Sequence, residues 1–203
     1  MNNQEIEVKF FVDDMEDIAR RIADAGGQFA ISRVREVNLR FDKPDRSLTQ
    51  AMQVLRLRKD FKSRLTFKGP SLGDESVSVR QEIEFEVSSF ENAQKFLEAL
   101  GYEMYLMYEK YRTTYTLSNV IVVLDEMPYG NFVEIEGPDA DSIRQVAGDL
   151  KLDWEARCTD SYTLLFRQLK DRHHLDASHL SFEDFEGLHF TAEDFGLKPG
   201  SLV

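Results

Sequence analysis

The segment Glu5-Ile6-Glu7-Val8-Lys9-Phe10 decides the fold, because charged and apolar residues alternate along it without interruption. Side chains of a β-strand point to opposite faces with a period of two, so this segment has one charged and one apolar face. The tripeptide Glu-Ile-Glu occurs twice more, at residues 82–84 and 134–136. An amphipathic helical segment follows each copy, which indicates a recurring strand–helix arrangement.

The same alternation predicts further strands over most of the chain up to residue 136. Each of them has charged side chains at alternate positions or at its end. The predicted strands, each with its charged residues, are residues 54–58 (Arg56 and Arg58), 65–68 (Lys68), 79–87 (Arg80, Glu82, Glu84 and Glu86), a strand that contains Lys110 and Arg112, 120–124 (followed by Asp125) and 132–136 (Glu134 and Glu136). A less regular strand is expected over residues 35–41.

Four helices are predicted between and after these strands. Asp13 or Asp14 caps the first and Ser88 or Ser89 the second, the third follows Asp139, and the fourth covers about residues 161–169. The apolar helix faces need an apolar surface to cover, and the apolar strand faces supply it. These features predict an α+β protein.

The charged strand faces have two interpretations. They could face water, as in an antiparallel sheet with a solvated side. However, the charged faces contain almost no Ser, Thr, Asn or Gln, which a face exposed to water would normally include. The amphipathic helices also need the apolar strand faces to pack against, so these faces would lie on the outside of the sheet. We therefore predict a closed antiparallel β-barrel, or tunnel, with a charged interior and with amphipathic helices covering its outside.

A charged interior of this composition predicts a ligand. Carboxylates at i and i+2 lie about 7 Å apart on one strand face and can flank a hard cation such as Mg²⁺ or Mn²⁺. Burying six such glutamates together with Asp125 is unfavourable without a metal. Opposite them we expect a cationic wall that suits phosphate oxygens, formed by Lys9, Arg56, Arg58, Lys68, Arg80, Lys110 and Arg112. The pattern predicts a compact polyanion as ligand.

Overall charge limits the partners. The formal net charge is -12 and the sequence pI is about 4.8, which argues against binding to nucleic acid or an anionic membrane. The single cysteine, Cys158, cannot form an intrachain disulfide, and no signal peptide or long apolar run is recognisable. We expect a cytoplasmic protein.

The motifs resemble those of the CYTH or triphosphate tunnel metalloenzyme superfamily, which includes class IV adenylyl cyclases, thiamine triphosphatases and inorganic triphosphatases. Glu5-Ile6-Glu7-Val8-Lys9 resembles its E-x-E-x-K signature. The ordered matches that follow are Phe41-Asp42-Lys43-Pro44, Leu55-Arg56-Leu57-Arg58, Leu65-Thr66-Phe67-Lys68-Gly69-Pro70, Arg80-Gln81-Glu82-Ile83-Glu84, Glu109-Lys110-Tyr111-Arg112, Leu124-Asp125 and Phe132-Val133-Glu134-Ile135-Glu136-Gly137. The resemblance implies an eight-stranded tunnel domain over residues 1–170. A helical, acidic tail over residues 171–203 would pack on the barrel or on a partner, such as a second copy in a homodimer.

The resemblance also implies roles for individual residues. The metal side would contain Glu5, Glu7, Glu82, Glu84, Asp125, Glu134 and Glu136, and the triphosphate would be held by Lys9, Arg56, Arg58, Lys68, Lys110 and Arg112. Two positions depart from the family pattern. Arg40 stands where an aromatic residue is common, and Asp160 stands where many members have a lysine before Ser161, with Arg157 as the nearest cation.

The expected function is metal-dependent hydrolysis of tripolyphosphate or of an organic triphosphate such as a nucleoside or thiamine triphosphate. The alternatives are a class IV adenylyl cyclase that converts ATP to cyclic AMP and pyrophosphate, and a module that binds polyphosphate or nucleotide without turnover. The expected catalytic residues are Lys9, Glu5 and Glu7. Lys9 could act in proton transfer if nearby cations lower its pKa, or it could simply bind phosphate.

Overall fold

Eight strands and five α-helices make up the computed structural model, which describes residues 4–72 and 76–201. The strands are β1 (Gln4–Val12), β2 (Gln28–Asp42), β3 (Val54–Lys59), β4 (Ser63–Ser71), β5 (Ser78–Glu86), β6 (Glu103–Leu117), β7 (Val120–Met127) and β8 (Gly130–Glu136). The helices are α1 (Met15–Asp24), α2 (Ser47–Gln50), α3 (Phe90–Ala99), α4 (Ala140–Asp149) and α5 (Tyr162–His173), with short 3₁₀-helices at Trp154–Ala156 and Ala192–Phe195.

The sheet closes on itself. Its strands pair in the order β1-β5-β4-β3-β2-β6-β7-β8, every pairing is antiparallel, and β8 also pairs with β1. This arrangement confirms the predicted α+β fold with a closed antiparallel sheet. Closure satisfies the backbone hydrogen bonds that an open sheet would leave at its edges.

The helices begin where the sequence predicts. Asp14, Ser89 and Asp139 cap α1, α3 and α4, and each side chain accepts a hydrogen bond from a backbone N–H of its helix. Helices α1 and α4 cover a cluster of outward-facing apolar side chains that includes the fully buried Val8 and Phe10. Helix α3 covers a second such cluster on β2, β3 and β4.

Some boundaries differ from the sequence prediction. Strand β2 begins at Gln28 rather than near residue 35. The alternation did not reveal its first part, because shifts in register between β2 and β6 interrupt the pattern there. Helix α5 continues to His173 rather than ending near residue 169. The short helix α2 was not predicted; the buried Asp42 carboxylate accepts hydrogen bonds from two of its backbone N–H groups, those of Leu48 and Thr49.

One end of the barrel is filled with apolar side chains. Along β1 and β8 the side chains that point into the barrel are charged at first and become aromatic at Phe11 and Phe132, which lie opposite each other on the two paired strands. Tyr162 and Phe166 of α5 pack into the same cluster, together with Phe195 from the C-terminal tail. The buried Phe132 ring contacts the rings of its four aromatic neighbours Phe11, Tyr129, Tyr162 and Phe195. We call this cluster the apolar end.

The C-terminal tail packs against the barrel. Leu180 exchanges backbone hydrogen bonds with β6, and the Gly200 N–H donates to the Phe11 carbonyl at 2.8 Å. A side chain at Gly200 would clash, since its Cβ would lie 2.7 Å from the Phe10 Cβ. His173 pairs with Asp194 at 2.9 Å, and His179 accepts a hydrogen bond from the Met107 backbone N–H. In the described part of the chain, no helix has the length and apolar character required to span a bilayer.

Removing the Phe132 ring should destabilise the fold strongly. We expect Phe132→Ala to lower the free energy of unfolding by about 3–5 kcal/mol, because the neighbouring rings cannot close the cavity. Urea denaturation would measure this change. Phe96→Ala, which removes an exposed ring on α3, is the control and should cost about 1 kcal/mol or less. Equal losses for the two variants would contradict the proposed role of the apolar end.

Candidate functional site

The closed sheet encloses a charged cavity of about 440 Å³. Its lining contains nine cationic and eight acidic residues, which are Lys9, Arg40, Arg56, Arg58, Arg64, Lys68, Arg80, Lys110 and Arg112, and Glu5, Glu7, Glu36, Asp60, Glu82, Glu84, Glu134 and Glu136. The lining is thus nearly neutral in a protein whose net charge is -12. The prediction of a charged interior is confirmed, and the interpretation of these faces as solvated outer surfaces is wrong.

The three Glu-Ile-Glu segments lie on adjacent strands. Strand β1 pairs with β5 on one side and with β8 on the other, and Glu7 lies directly opposite Glu136. This arrangement gathers five carboxylates on one wall of the cavity, which we call the glutamate cluster. Its members are Glu5, Glu7, Glu82, Glu134 and Glu136.

Repulsion within the glutamate cluster is strongest at Glu136. Burial, followed by the charges of Glu5 and Glu134, raises the pKa of Glu136 to about 7. Burial also raises the pKa values of Glu5 and Glu7, with further contributions from neighbouring glutamates. Glu136 forms no ion pair with any residue that the structure describes, so this carboxylate is the least compensated in the cluster.

Two lysines neutralise part of this cluster. The Lys9 ammonium pairs with Glu7 and lies 3.3 Å from Glu134, and the Lys68 ammonium pairs with Glu5 and lies 3.3 Å from Glu82. Burial alone would lower the pKa of Lys9, but Glu7 and Glu134 outweigh it and raise this pKa above its usual value. Of the two alternatives for Lys9, the one that required a lowered pKa does not fit the ligand-free structure, because its neighbours are mainly carboxylates and not cations.

Asp125 is held by hydrogen-bond donors. Its fully buried carboxylate accepts hydrogen bonds from Lys110 at 3.0 Å, from the Nε of Arg112 at 2.7 Å and from the Tyr162 hydroxyl at 2.8 Å. Arg112 also donates to Glu134 at 3.0 Å. Asp125 therefore lies among the cations rather than among the glutamates, which differs from the expected metal-side placement.

Glu84 is likewise separated from the glutamate cluster. It accepts hydrogen bonds from Arg58 at 3.0 Å and from the Thr66 hydroxyl at 2.8 Å, and it lies 3.5 Å from Arg56. These contacts place Glu84 between arginines of β3, although it belongs to the same Glu-Ile-Glu segment as Glu82. Its oxygens are less available to a metal than those of Glu136, which has no ion pair with any described residue.

The sequence analysis did not assign four charged residues of the cavity lining to the interior, which are Glu36, Arg40, Asp60 and Arg64.

Glu36 and Arg40 are the two that a strand pattern could have revealed. Both lie on β2, where the even-numbered residues Glu36, Asn38, Arg40 and Asp42 are all buried. Glu36 lies 3.6 Å from both Arg58 and Lys110, and these cations and Arg112 outweigh burial and lower its pKa to about 2. The alternation from residue 36 to residue 42 was visible in the sequence and could have identified them.

Arg157 was the nearest cation in sequence to the start of α5, but it does not line the cavity. It donates hydrogen bonds to the carbonyls of Ser76 and Trp154 and lies over the Trp154 ring. Arg40 instead lies next to α5, with its Nη1 at 3.3 Å from the Thr163 hydroxyl.

Comparison with protein families decides the classification. The CYTH domain model matches residues 3–152 of the chain. The chain belongs to the CYTH family. This CYTH protein has no significant match among curated proteins.

Solved structures show the same fold. A protein from Vibrio parahaemolyticus proposed to be an adenylate cyclase has a TM-score of 0.73 at 20% identity, covering 82% of this chain and 99% of its own. The PH1012 protein from Pyrococcus horikoshii has a TM-score of 0.66 at 31% identity, covering 78% and 96%. The Hippeastrum protein HpAC1, described as a proposed adenylyl cyclase with a dominant triphosphatase activity, has a TM-score of 0.64 at 20% identity, covering 80% and 95%.

The glutamate cluster of this CYTH domain fits a hard divalent cation by its chemistry. All its donors are carboxylate oxygens, which suit Mg²⁺ or Mn²⁺, and Glu136 forms no ion pair with a described residue that would occupy its oxygens. Among residues 4–72 and 76–201, no three side chains of metal-binding type are grouped closely enough to hold an ion as they stand. The carboxylates of Glu5 and Glu7 would have to turn away from their lysines to bind one.

The raised pKa of Glu136 predicts a pH-dependent stability in the absence of metal. The protonated acid is favoured in the fold, so the contribution of Glu136 to stability is complete below its unfolded pKa of about 4.5 and decreases as the pH rises to about 7. We expect Glu136→Gln to raise the free energy of unfolding by about 1–3 kcal/mol at about pH 8 and to change it little near pH 4.5. Thermal denaturation in EDTA at both pH values measures this.

The control is Glu103→Gln, which removes an exposed carboxylate at the start of β6 and should leave the stability unchanged at both pH values. A Glu136→Gln variant that is destabilised at about pH 8 would contradict the repulsion inferred for this site.

Proposed function

We propose that this CYTH protein hydrolyses inorganic or organic triphosphates with the help of Mg²⁺ or Mn²⁺. The observation that carries the proposal is that five glutamates and nine cations share one enclosed cavity. A metal ion alone would leave the cations uncompensated, and a polyanion alone would be repelled by the glutamates. A metal–triphosphate complex satisfies both groups.

The dimensions and donors also suit such a ligand. A cavity of about 440 Å³ lies within the range of small-molecule sites. Arginine presents a planar fork that can bind phosphate oxygens in a bidentate manner, and Arg56, Arg58 and Arg112 line the cavity together. Exposed apolar side chains at Ile31, Phe61 and Ile121 also line it, and they offer a surface for an organic substituent.

Binding would exchange one set of ion pairs for another. The lysines that pair with Glu5 and Glu7 would turn to phosphate oxygens, while the carboxylates would turn to the metal, so that every buried charge keeps a partner. The metal, when bound, would neutralise phosphate charge and activate water for attack. Because its pKa is raised, Lys9 stays protonated and is suited to bind phosphate rather than to accept a proton.

Asp125 has a positioning role in this proposal. Its contacts with Lys110 and Arg112 fix two cations of the wall, and Tyr162 ties this group to α5. The arginines would then stabilise the negative charge that develops on the phosphoryl oxygens during hydrolysis.

The cytoplasmic location, the preferred metal and a homodimer remain predictions.

The main competing function is cyclisation of ATP. The proposed cyclase from Vibrio parahaemolyticus shares the fold at 20% identity, and so does the Hippeastrum protein with dominant triphosphatase activity. The fold is therefore compatible with both reactions. We favour hydrolysis because it requires only a bound triphosphate and water, without a positioned ribose hydroxyl.

The direct test is incubation of the purified protein with tripolyphosphate or ATP in the presence of Mg²⁺ or Mn²⁺. We expect release of orthophosphate without cyclic AMP. Formation of cyclic AMP and pyrophosphate from ATP would instead establish the cyclase. Tight binding of every triphosphate without turnover would establish a binding module.

Variants of the glutamate cluster test whether hydrolysis depends on a metal ion bound by these carboxylates. We expect Glu7→Gln and Glu136→Gln each to reduce turnover of tripolyphosphate by about 100-fold or more, because each removes a charged oxygen ligand. Glu103→Gln is the matched control and should retain wild-type turnover. The proposal fails if both cluster variants retain full activity, or if EDTA does not abolish turnover.

A further inference from the structure

Arg40 lacks the compensation that most other cations of the cavity have. Its side chain lies on the interior face of β2, directly across the strands from Arg56, and the residue is only 9% exposed. Among the described residues its Nε has no hydrogen-bond partner, and its Nη1 donates to the Thr163 hydroxyl at 3.3 Å. Within the described ranges it forms no ion pair, whereas the cations Lys9, Arg56, Arg58, Arg64, Lys68, Lys110 and Arg112 all do.

Arg80 is the second cavity cation without a carboxylate partner among the described residues. Its guanidinium donates to two backbone carbonyls, those of Gly69 at 2.8 Å and Met52 at 2.6 Å. Across the strands Arg80 pairs with Glu5, which places it next to the glutamate cluster, and both Arg80 and Arg40 line the cavity.

The surroundings of Arg40 contain an excess of positive charge. Burial alone would raise the pKa of the Tyr108 phenol, but Arg56, Lys110 and Arg40 outweigh it and lower this pKa. The N-terminus of the twelve-residue helix α5, where Thr163 lies in the first turn, adds the positive end of the helix dipole. A buried guanidinium such as that of Arg40, with no counter-charge among the described residues, is costly to the fold, so a ligand that supplies negative charge would relieve this cost.

We infer that Arg40, Arg80 and the Thr163 hydroxyl form a subsite for a terminal phosphoryl group of the ligand. The inference rests on the proposed function, because it places one end of the triphosphate that the cavity binds. The chain of phosphates would extend from the glutamate cluster past Arg80 to Arg40, beneath the start of α5. A terminal phosphoryl group carries the most negative charge of a triphosphate, and it suits the site with two uncompensated guanidiniums.

The inference predicts opposite effects of Arg40→Met on stability and on binding. Methionine has a similar length and no charge, so the ligand-free variant should melt at a higher temperature than the wild type. Its affinity for tripolyphosphate should fall by about tenfold or more, since a charged hydrogen bond to phosphate is lost. Isothermal titration calorimetry with Mg²⁺ and an imido analogue of tripolyphosphate, which resists hydrolysis and stands in for tripolyphosphate in every binding measurement here, gives the affinity, and thermal denaturation without ligand gives the stability.

The matched control is Arg20→Met, which removes one positive charge from the outer surface of α1 and should bind tripolyphosphate like the wild type. A structural role for Arg40 would lower the melting temperature and leave the affinity unchanged, which would overturn the inference. If Arg40→Met does not fold, Arg40→Lys serves instead: weaker binding than the wild type supports the subsite, and equal binding overturns it.

Failure of the proposed function gives a different result. A wild-type protein that binds tripolyphosphate more tightly than Arg40→Met but never hydrolyses it would refute the triphosphatase while supporting the subsite. A wild-type protein that does not bind tripolyphosphate at all would overturn both. Hydrolysis by the wild type with unchanged binding by Arg40→Met would overturn the subsite alone.

Discussion

Pairing of charges inside the closed sheet is the constraint on which the rest of this structure depends. A buried ion loses its hydration, so it is tolerated only with a partner of opposite charge or with hydrogen bonds. The interior meets this requirement by interleaving lysines with the glutamate cluster and by surrounding Asp125 with Lys110, Arg112 and Tyr162. The contacts around Asp125 hold Lys110 and Arg112 in place before any ligand binds, which reduces the ordering that binding requires, whereas the lysine–glutamate pairs would exchange partners on binding.

The places where pairing is incomplete are informative about function. Among the residues that the structure describes, Glu136 has no ion pair, and the cations Arg40 and Arg80 have no carboxylate partner. A sequence selected for stability alone would have replaced such residues, because neutral residues of similar shape would fit with less cost. A ligand that combines a divalent cation with a polyanion would relieve both deficits at once.

The apolar parts of the protein make this interior available. Helices α1, α3 and α4 cover the outward-facing apolar side chains of the strands, which leaves the inward faces free to carry charge. At the apolar end, α5 and the C-terminal tail fill the barrel with aromatic rings. Tyr162 belongs to this apolar cluster and also donates to Asp125, so the packing of α5 is coupled to the position of the cationic wall. The same helix places Thr163 next to Arg40.

The sequence by itself determined which residues share a strand face, because alternation is a local property that follows from the pleat of a strand. It therefore predicted the charged interior, the starts of α1, α3 and α4 to within about a residue and most of the charged lining residues. Closer attention to residues 36–42 would have added Glu36 and Arg40. Only the tertiary structure decided which strands are neighbours. The pairing of β1 with both β5 and β8 joins segments far apart in the chain, and this pairing gathers the glutamates, raises the pKa of Glu136 and separates Asp125 and Glu84 from the cluster. Such effects depend on distances through space, which local periodicity does not encode.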